Sequence, residues 1–242
     1  MRLAVSSTAF DRTLAIGDLT QLELIDVCAR MQSLDGIILE LAHFPRRDSD
    51  YVAQIRKLSA DLMLPIVAVR DDALAERSSD ALSVAAGVGA PYVLTRMPEA
   101  GIDPVHRYNA ALGVLAPATA EAKRLNVTLA VRNVPGSLAA DSFELGRLRK
   151  EADSAWLRFA LDPLALDGPA QDGVRNYAVL GYHAVRPEPH DDDGRVLAAL
   201  GAFRGFLCLD VPGGNATAES MGCLVDAWNA RLGSVAEPHV PS

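Results

Sequence analysis

Short apolar segments recur along the whole chain, and longer segments with helical spacing separate them. This recurrence restricts the fold more than any other feature, because repeated strand–helix units build parallel sheets. The candidate strands are Leu3–Thr8, Gly36–Glu40, Pro65–Arg70, Tyr92–Arg96, Thr128–Asn133, Arg158–Asp162, Gly181–Arg186 and Phe206–Val211. The candidate helices are Leu19–Gln32, Asp50–Asp61, Ala73–Ala86, Pro104–Leu125, Ser142–Glu151, Gly173–Leu180, Gly194–Ala202 and Thr217–Leu232. We expect a bend or break in the fourth helix at Pro117.

The spacing of these units favours a closed barrel over an open sheet. The strand ends recur roughly every 30 residues, which suits successive βα units. An open doubly wound sheet would have a glycine-rich turn after an early strand, and the segment Ser6–Phe10 contains no glycine. The sequence therefore predicts an α/β fold, a single (β/α)8 TIM barrel over residues 1–235, with a flexible tail at 236–242.

Composition argues against several classes of function. The 23 Lys and Arg against 31 Asp and Glu give a net charge of −8, whereas proteins that bind nucleic acid through phosphates are usually basic. No apolar stretch is long enough to cross a membrane, and no signal peptide is visible. The cysteines lack the spacing of a disulfide framework or zinc site: Cys28, Cys208 and Cys223. We expect a soluble cytoplasmic protein with a small-molecule partner, and homo-oligomerisation is left open.

Polar side chains stand at the ends of nearly all the predicted strands. They are Glu40, Arg70, Arg96, Arg132, Asn133, Asp162, His183, Arg186 and Asp210. In (β/α)8 barrels the active site lies at the carboxyl ends of the strands, so we expect a shared polar site there. Alternate residues of a strand share a face. An inward Arg132 would therefore lie above Ala130, and an inward Asp210 above Cys208, which leaves room for a pocket.

Six segments together carry a family resemblance. In order they read DGIILE, AAGVGAPYV, VTLAVRNVPGS, LRFALDP, GYHAVRP and GFLCLDVPG, and they resemble the xylose isomerase-like TIM barrels, which include sugar phosphate isomerases and epimerases. The resemblance implies a divalent metal (Mn, Co, Zn or Mg) held by Glu after strand 5, Asp after strand 6, His on strand 7 and Glu after strand 8. The corresponding positions here are Arg132, Asp162, His183 and Asp210.

The arginine at the first of these positions argues against a metal. A guanidinium has no lone pair to donate and stays protonated. Two unit charges 4 Å apart interact by ~4 kcal/mol at an effective dielectric of 20, so a divalent ion would meet about twice that repulsion. We therefore expect no metal or other cofactor. If a metal did bind, its ligands would be Asp162, His183 and Asp210, which are also the remaining candidates for proton transfer.

The remaining polar residues are compatible with two functions. Arginines fit carboxylates and phosphates, so Arg70, Arg96, Arg132 and Arg186, with Glu40 and Asn133, would bind a small anionic carbohydrate derivative, a sugar phosphate or sugar acid, in an isomerase, epimerase or lyase-like enzyme. In the alternative, Arg132 pairs with Asp162 and Asp210, and Glu40 with Arg70 or Arg96. The chain would then be a non-catalytic descendant that binds a metabolite or partner protein.

Two further residues near the predicted mouth receive structural interpretations. His43 follows the second strand and is interpreted as a loop histidine. Ser7 has no histidine near it in the sequence, so nothing there supports a serine nucleophile. A metal-dependent nuclease, another function found among barrels of this kind, is disfavoured by the acidic charge and the missing ligands.

Overall fold

Eight parallel strands close into one barrel. The structure is a computed structural model that describes residues 1–77, 79–166, 176–185, 192–200, 203–211 and 213–236. The strands pair in chain order, the last with the first. They are β1 (Arg2–Ser6), β2 (Gly36–Glu40), β3 (Ile66–Arg70), β4 (Tyr92–Arg96), β5 (Thr128–Arg132), β6 (Leu157–Leu161), β7 (Ala178–Ala184) and β8 (Phe206–Asp210). The predicted (β/α)8 barrel is therefore confirmed.

Helices surround this barrel. In the described residues they are α1 (Asp11–Ala15), α2 (Gln21–Ala29), α3 (Ser49–Asp61), α4 (Ala81–Val88), α5 (Pro104–Leu125), α6 (Ser142–Ala152), α7 (Asp192–Leu200) and α8 (Ala218–Ala236). Short 3-10 turns follow three strands, at Ser7–Phe10, Leu41–His43 and Pro163–Ala165. None of the described helices is long and apolar enough to cross a membrane. Apart from Ala236, the predicted tail lies outside the described residues.

Three predicted helices differ from the structure. The helix predicted from Ala73 begins at Ala81, because the Asp71 carboxylate accepts the Ala73 N–H and holds that segment in turns. Residues 178–180 belong to strand β7, since a short apolar run does not distinguish strand from helix; 173–175 lie outside the described residues. Helix α5 runs unbroken through Pro117, which is exposed, so water can hydrate the carbonyl it leaves unbonded.

The core has two layers that follow the alternation of the strands. Leu129 and Val131 face the helices within the larger hydrophobic cluster, as predicted. The inner cluster takes one residue from each strand at the level below the strand ends: Ala4, Ile38, Ala68, Leu94, Ala130, Ala160, Leu180 and Cys208. Most of these side chains are small, so long polar side chains can lie above them.

Candidate functional site at the barrel mouth

One polar residue per strand continues the inward-facing rows at the carboxyl end of the barrel. These eight residues, here called the mouth layer, are Ser6, Glu40, Arg70, Arg96, Arg132, Asp162, Tyr182 and Asp210. Each lies two positions beyond a residue of the inner cluster, and alternate residues share a face. The periodicity of the strands therefore brings charged residues distant in sequence to one end of the barrel.

Arg70 is the centre of this layer. Its Nε lies 3.3 Å from Glu40 Oε2, and its Nη2 donates to Asp72 Oδ2 at 2.7 Å. Its Nη1 donates to Tyr182 Oη at 3.0 Å and to Asp210 Oδ2 at 3.3 Å. A buried cation is stable only when partners of this kind replace its hydration.

Arg132 points into the barrel rather than toward the helices. Its Nη1 donates to Tyr182 Oη at 3.1 Å, and its guanidinium carbon lies 4.2 Å from the centroid of the Tyr182 ring. The residue is 7% exposed, and no hydrogen-bond partner for its buried Nε occurs among the described residues. Within the described part of the chain, one donor of this buried guanidinium is thus left unsatisfied.

Asp72 bridges three arginines, although it is not among the residues that the sequence predicts. Its carboxylate lies 2.7 Å from Arg70, 3.5 Å from Arg132 and 3.9 Å from Arg96. Burial opposes the charge of Asp72, but the hydrogen bond from Arg70 and the charges of Arg132, Arg70 and Arg96 outweigh it and lower its pKa. Arg132 therefore pairs with Asp72, whereas the sequence suggested Asp162 and Asp210 as its partners.

Tyr182 occupies the inward position of β7 and links three charged residues of the mouth layer. Its hydroxyl accepts from Arg70 and Arg132 and donates to Asp210. Burial raises the pKa of Tyr182 well above its ordinary value, against the charge of Arg132, so the hydroxyl keeps its proton. The alternation that places Leu180 inside the barrel could have identified Tyr182 from the sequence.

His183 does not reach the mouth, contrary to its predicted role. It follows Tyr182 and pairs in register with Leu209, which lies in the helix-facing cluster. Its ring centroid is 5.3 Å from that of Trp228 on α8. Because neighbouring strand residues point to opposite faces, Tyr182 and His183 cannot both face the barrel interior.

Asn133 and Asp162 join the ends of β5 and β6. Asn133 Oδ1 accepts the Asp162 N–H at 2.7 Å, and its Nδ2 donates to the Asp162 carbonyl at 3.0 Å. Asp162 Oδ1 accepts the Leu164 N–H at 2.9 Å and caps the following turn. The amide of Asn133 is therefore bonded to main chain rather than presented to a ligand. Arg186, also predicted here, lies outside the described residues.

Glu40 differs from the other carboxylates of the network. Its side chain is 17% exposed, and its Oε1 has no hydrogen-bond partner in the described part of the chain. Burial raises the pKa of Glu40 to about 7, against the charge of Arg70, and the nearby Asp72 and Asp71 raise it further. Both protonation states of Glu40 are therefore populated near neutral pH.

The loops after β1 and β2 are tied by a serine–histidine–aspartate chain. Ser7 Oγ lies 2.8 Å from His43 Nδ1, and His43 Nε2 lies 2.9 Å from Asp11 Oδ1. Ser7 also accepts the Glu40 N–H at 2.8 Å and is fully buried. Its hydroxyl therefore fixes the end of β2 rather than standing open to a substrate.

A cavity of about 950 Å³ opens between these loops beside the mouth layer. We call it the β1–β2 cavity. Its polar side includes Glu40, Arg70, Asp72, His43, Asp11 and Thr8, and its apolar side includes Leu14, Leu19, Leu22, Ala42 and Pro45. This is room for a sugar derivative beside charged groups.

Metal ligands are not grouped in the part of the chain that the structure describes. Within those ranges, no three His, Cys, Asp or Glu side chains are placed so that they could hold a metal ion. The carboxylate of Asp210 instead accepts hydrogen bonds from Thr8 and Tyr182 and pairs with Arg70.

Comparison with known proteins gives matches in structure but not in sequence. No family model and no curated protein matches the chain. A putative xylose isomerase from Rhodospirillum rubrum superposes with a TM-score of 0.76 at 15% identity, over 98% of this chain and 100% of that one. The fold is that of the xylose isomerase-like TIM barrels.

Two other solved structures of similar fold have more specific descriptions. The 3-keto-D-glucoside 4-epimerase of E. coli has a TM-score of 0.71 at 12% identity and covers 96% of this chain and 99% of its own. The probable 3-DHS dehydratase of Bacillus anthracis has a TM-score of 0.71 at 12% identity and covers 99% of this chain and 100% of its own. The fold implied by the sequence resemblance is confirmed.

Proposed function

We propose that the chain is an isomerase, epimerase or lyase-like enzyme that acts on a small anionic carbohydrate derivative, without the divalent ion of the resembled family. The observation that carries this proposal is the inward guanidinium of Arg132 at the mouth, with a buried Nε that lacks an acceptor among the described residues. A ligand carboxylate or phosphate bound at the mouth would add an acceptor for this guanidinium. An epimerase and a probable dehydratase among proteins of this fold are in keeping with the proposed chemistry.

The charges at the mouth are unevenly distributed, which supports an anionic ligand. On the β3–β5 side, Asp72 is shared by the guanidinium groups of Arg70, Arg96 and Arg132. Arg70 also pairs with Glu40 and Asp210, whereas Asp72 is the one ion-pair partner of Arg132 among the described residues. Arg96 is 30% exposed, and its pairs with Asp72 and Glu99 are both 3.9 Å long. Arginine forks bind carboxylates and phosphates in a bidentate manner, so Arg96 and Arg132 are the expected contacts for the anionic group.

The residues at the family's metal positions do not fit a divalent cation. Arg132 brings a positive charge, and the inward residue of β7 is a protonated tyrosine rather than histidine. Asp210 is bonded to Arg70, Thr8 and Tyr182. The β1–β2 cavity leaves room for a small ligand beside the charged groups, which a closed ion-pair network would not.

Isothermal titration tests the anion site. Sugar phosphates and sugar acids are compared with their uncharged parent sugars, and we expect only the charged members to bind. Arg132→Gln removes a charge-assisted hydrogen bond of about 2 kcal/mol, which weakens binding by about 30-fold. Arg124→Gln is the matched control, because Arg124 pairs with Glu121 on the exposed face of α5. Failure of every anion to bind, or equal binding by Arg132→Gln, would contradict the proposal.

Metal analysis tests the other half of the proposal. We expect the purified protein to carry no stoichiometric Mn, Co, Zn or Mg, because Arg132 occupies the position of a ligand. Arg132→Glu restores a carboxylate there and provides the comparison. Stoichiometric metal in the unmodified protein would refute a reaction without a divalent ion.

A further inference from the structure

We infer that Glu40, on β2, is the carboxyl group that removes and returns a proton on the bound ligand, and that the reacting carbons lie in the β1–β2 cavity. The inference rests on the proposed function. It places the acid–base group on β2, three strands from Arg132 at the end of β5 and four from Asp162 after β6, where the family resemblance puts two of the metal positions. Glu40 lines the cavity together with Arg70 and Asp72.

The bonding of the three carboxylates in the network singles out Glu40. Asp72 is held between three guanidinium groups. Asp210 accepts hydrogen bonds from the hydroxyl groups of Thr8 and Tyr182 and pairs with Arg70. Among the described residues, Glu40 has one polar contact through its carboxylate, from Oε2 to Arg70 Nε at 3.3 Å. A general base needs a lone pair that can reach the substrate, and Glu40 Oε1 is the carboxylate oxygen left for this purpose.

The surroundings of Glu40 also suit proton transfer near neutral pH. The charged groups that act on it are Arg70 at the end of β3, Asp71 and Asp72 in the following turn, and Arg132 at the end of β5. Burial outweighs the two arginines and raises the pKa of Glu40 to about 7. The pKa of Asp72 is lowered in the same network, so Asp72 remains ionised and available to hold the arginines.

The chemical step balances without an added oxidant or reductant. The Glu40 carboxylate takes the proton from the carbon beside a ligand carbonyl, the C–H electron pair forms the new C–C double bond, and the carbonyl electron pair moves to oxygen. Arg70, which lines the same cavity, stabilises the resulting negative charge. In an isomerisation, the former carbonyl oxygen gains the proton of the neighbouring hydroxyl group. Glu40 then returns its proton to the former carbonyl carbon and is regenerated as carboxylate.

Deuterium exchange tests this role separately from ligand binding. Dihydroxyacetone phosphate, fructose 6-phosphate and 2-ketogluconate each combine an anionic group with a proton beside a carbonyl. The protein is mixed with each probe in D2O, and incorporation at carbon is followed by proton NMR, while titration calorimetry measures binding. We expect incorporation with at least one bound probe, at a rate that rises with pH as Glu40 ionises.

Glu40→Gln is expected to lower the exchange rate at least 100-fold and to change the dissociation constant less than threefold. Glu121→Gln also removes a carboxylate that pairs with an arginine, and it is expected to leave exchange unchanged. If Glu40→Gln does not fold, Glu40→Asp replaces it, because its carboxylate is one methylene farther from the ligand. We expect Glu40→Asp to lower the exchange rate at least tenfold.

The outcomes separate the two proposals. Absence of binding by every probe refutes the proposed function. Binding without exchange by the unmodified protein, or undiminished exchange by Glu40→Gln or its aspartate counterpart, overturns the role of Glu40 and leaves the anion site standing.

Discussion

Replacing Glu40 by glutamine should change how the stability of the protein depends on pH. The pKa of this carboxyl group rises from its ordinary value of 4.5 to about 7 in the folded protein because the side chain is buried. Between these two values the unfolded chain has released the proton and the folded chain still holds it. The folded protein therefore loses stability as the pH rises through this window.

The expected magnitude follows from the size of the pKa shift. Each pKa unit corresponds to about 1.4 kcal/mol, so the Glu40 carboxyl should remove about 3 kcal/mol of folding free energy between pH 4.5 and pH 8. Glutamine does not titrate. The difference in unfolding free energy, unmodified protein minus Glu40→Gln, should fall by this amount over the range. Other groups, including His43, whose pKa burial lowers against the charge of Asp11, titrate in both proteins and cancel.

Urea unfolding followed by circular dichroism at several pH values between 4.5 and 8.5 measures this difference. The dependence of the free energy on urea must be the same for both proteins for the comparison to hold. Glu121→Gln is the control, because the exposed carboxyl of Glu121 has its pKa lowered by its hydrogen bond with Arg124 and should give no such trend. A difference that stays constant with pH would show that Glu40 is not desolvated by folding.

Two further predictions concern buried groups near the barrel interior. Tyr182→Phe removes the hydroxyl that connects Arg70, Arg132 and Asp210, and we expect a loss of about 2–3 kcal/mol in urea unfolding; a loss below about 0.5 kcal/mol would contradict the network described here. Cys28 and Cys208 are buried and Cys223 is exposed, and burial raises the pKa of Cys28 to about 12 and that of Cys208 further still. A thiol reagent at pH 8 should therefore modify Cys223 rapidly in the native protein and all three thiols in urea, whereas rapid native reaction of Cys208 would contradict its burial.

The recurrence of strands and helices was sufficient to predict the barrel, because the strand ends depend on local apolar patterns. The inward orientation of Arg132 also followed from the sequence, since Ala130 and Arg132 share a face. The role of Asp72 could not be predicted from the sequence. Asp72 lies beyond the end of β3, in a turn whose path depends on the hydrogen bonds of Asp71. For β7, the family resemblance drew attention to His183, whereas the register of the strand placed Tyr182 inside.

The filled barrel interior has a kinetic consequence. Beneath the mouth layer, Ile38, Leu94 and Cys208 are completely buried, and at the opposite end the Arg2 guanidinium lies over the Phe206 ring at 3.9 Å. A molecule bound at the mouth must therefore leave by the opening through which it entered. If the chain is the enzyme proposed above, departing product and arriving reactant would share one entrance, and accumulated product would compete with the reactant for the mouth.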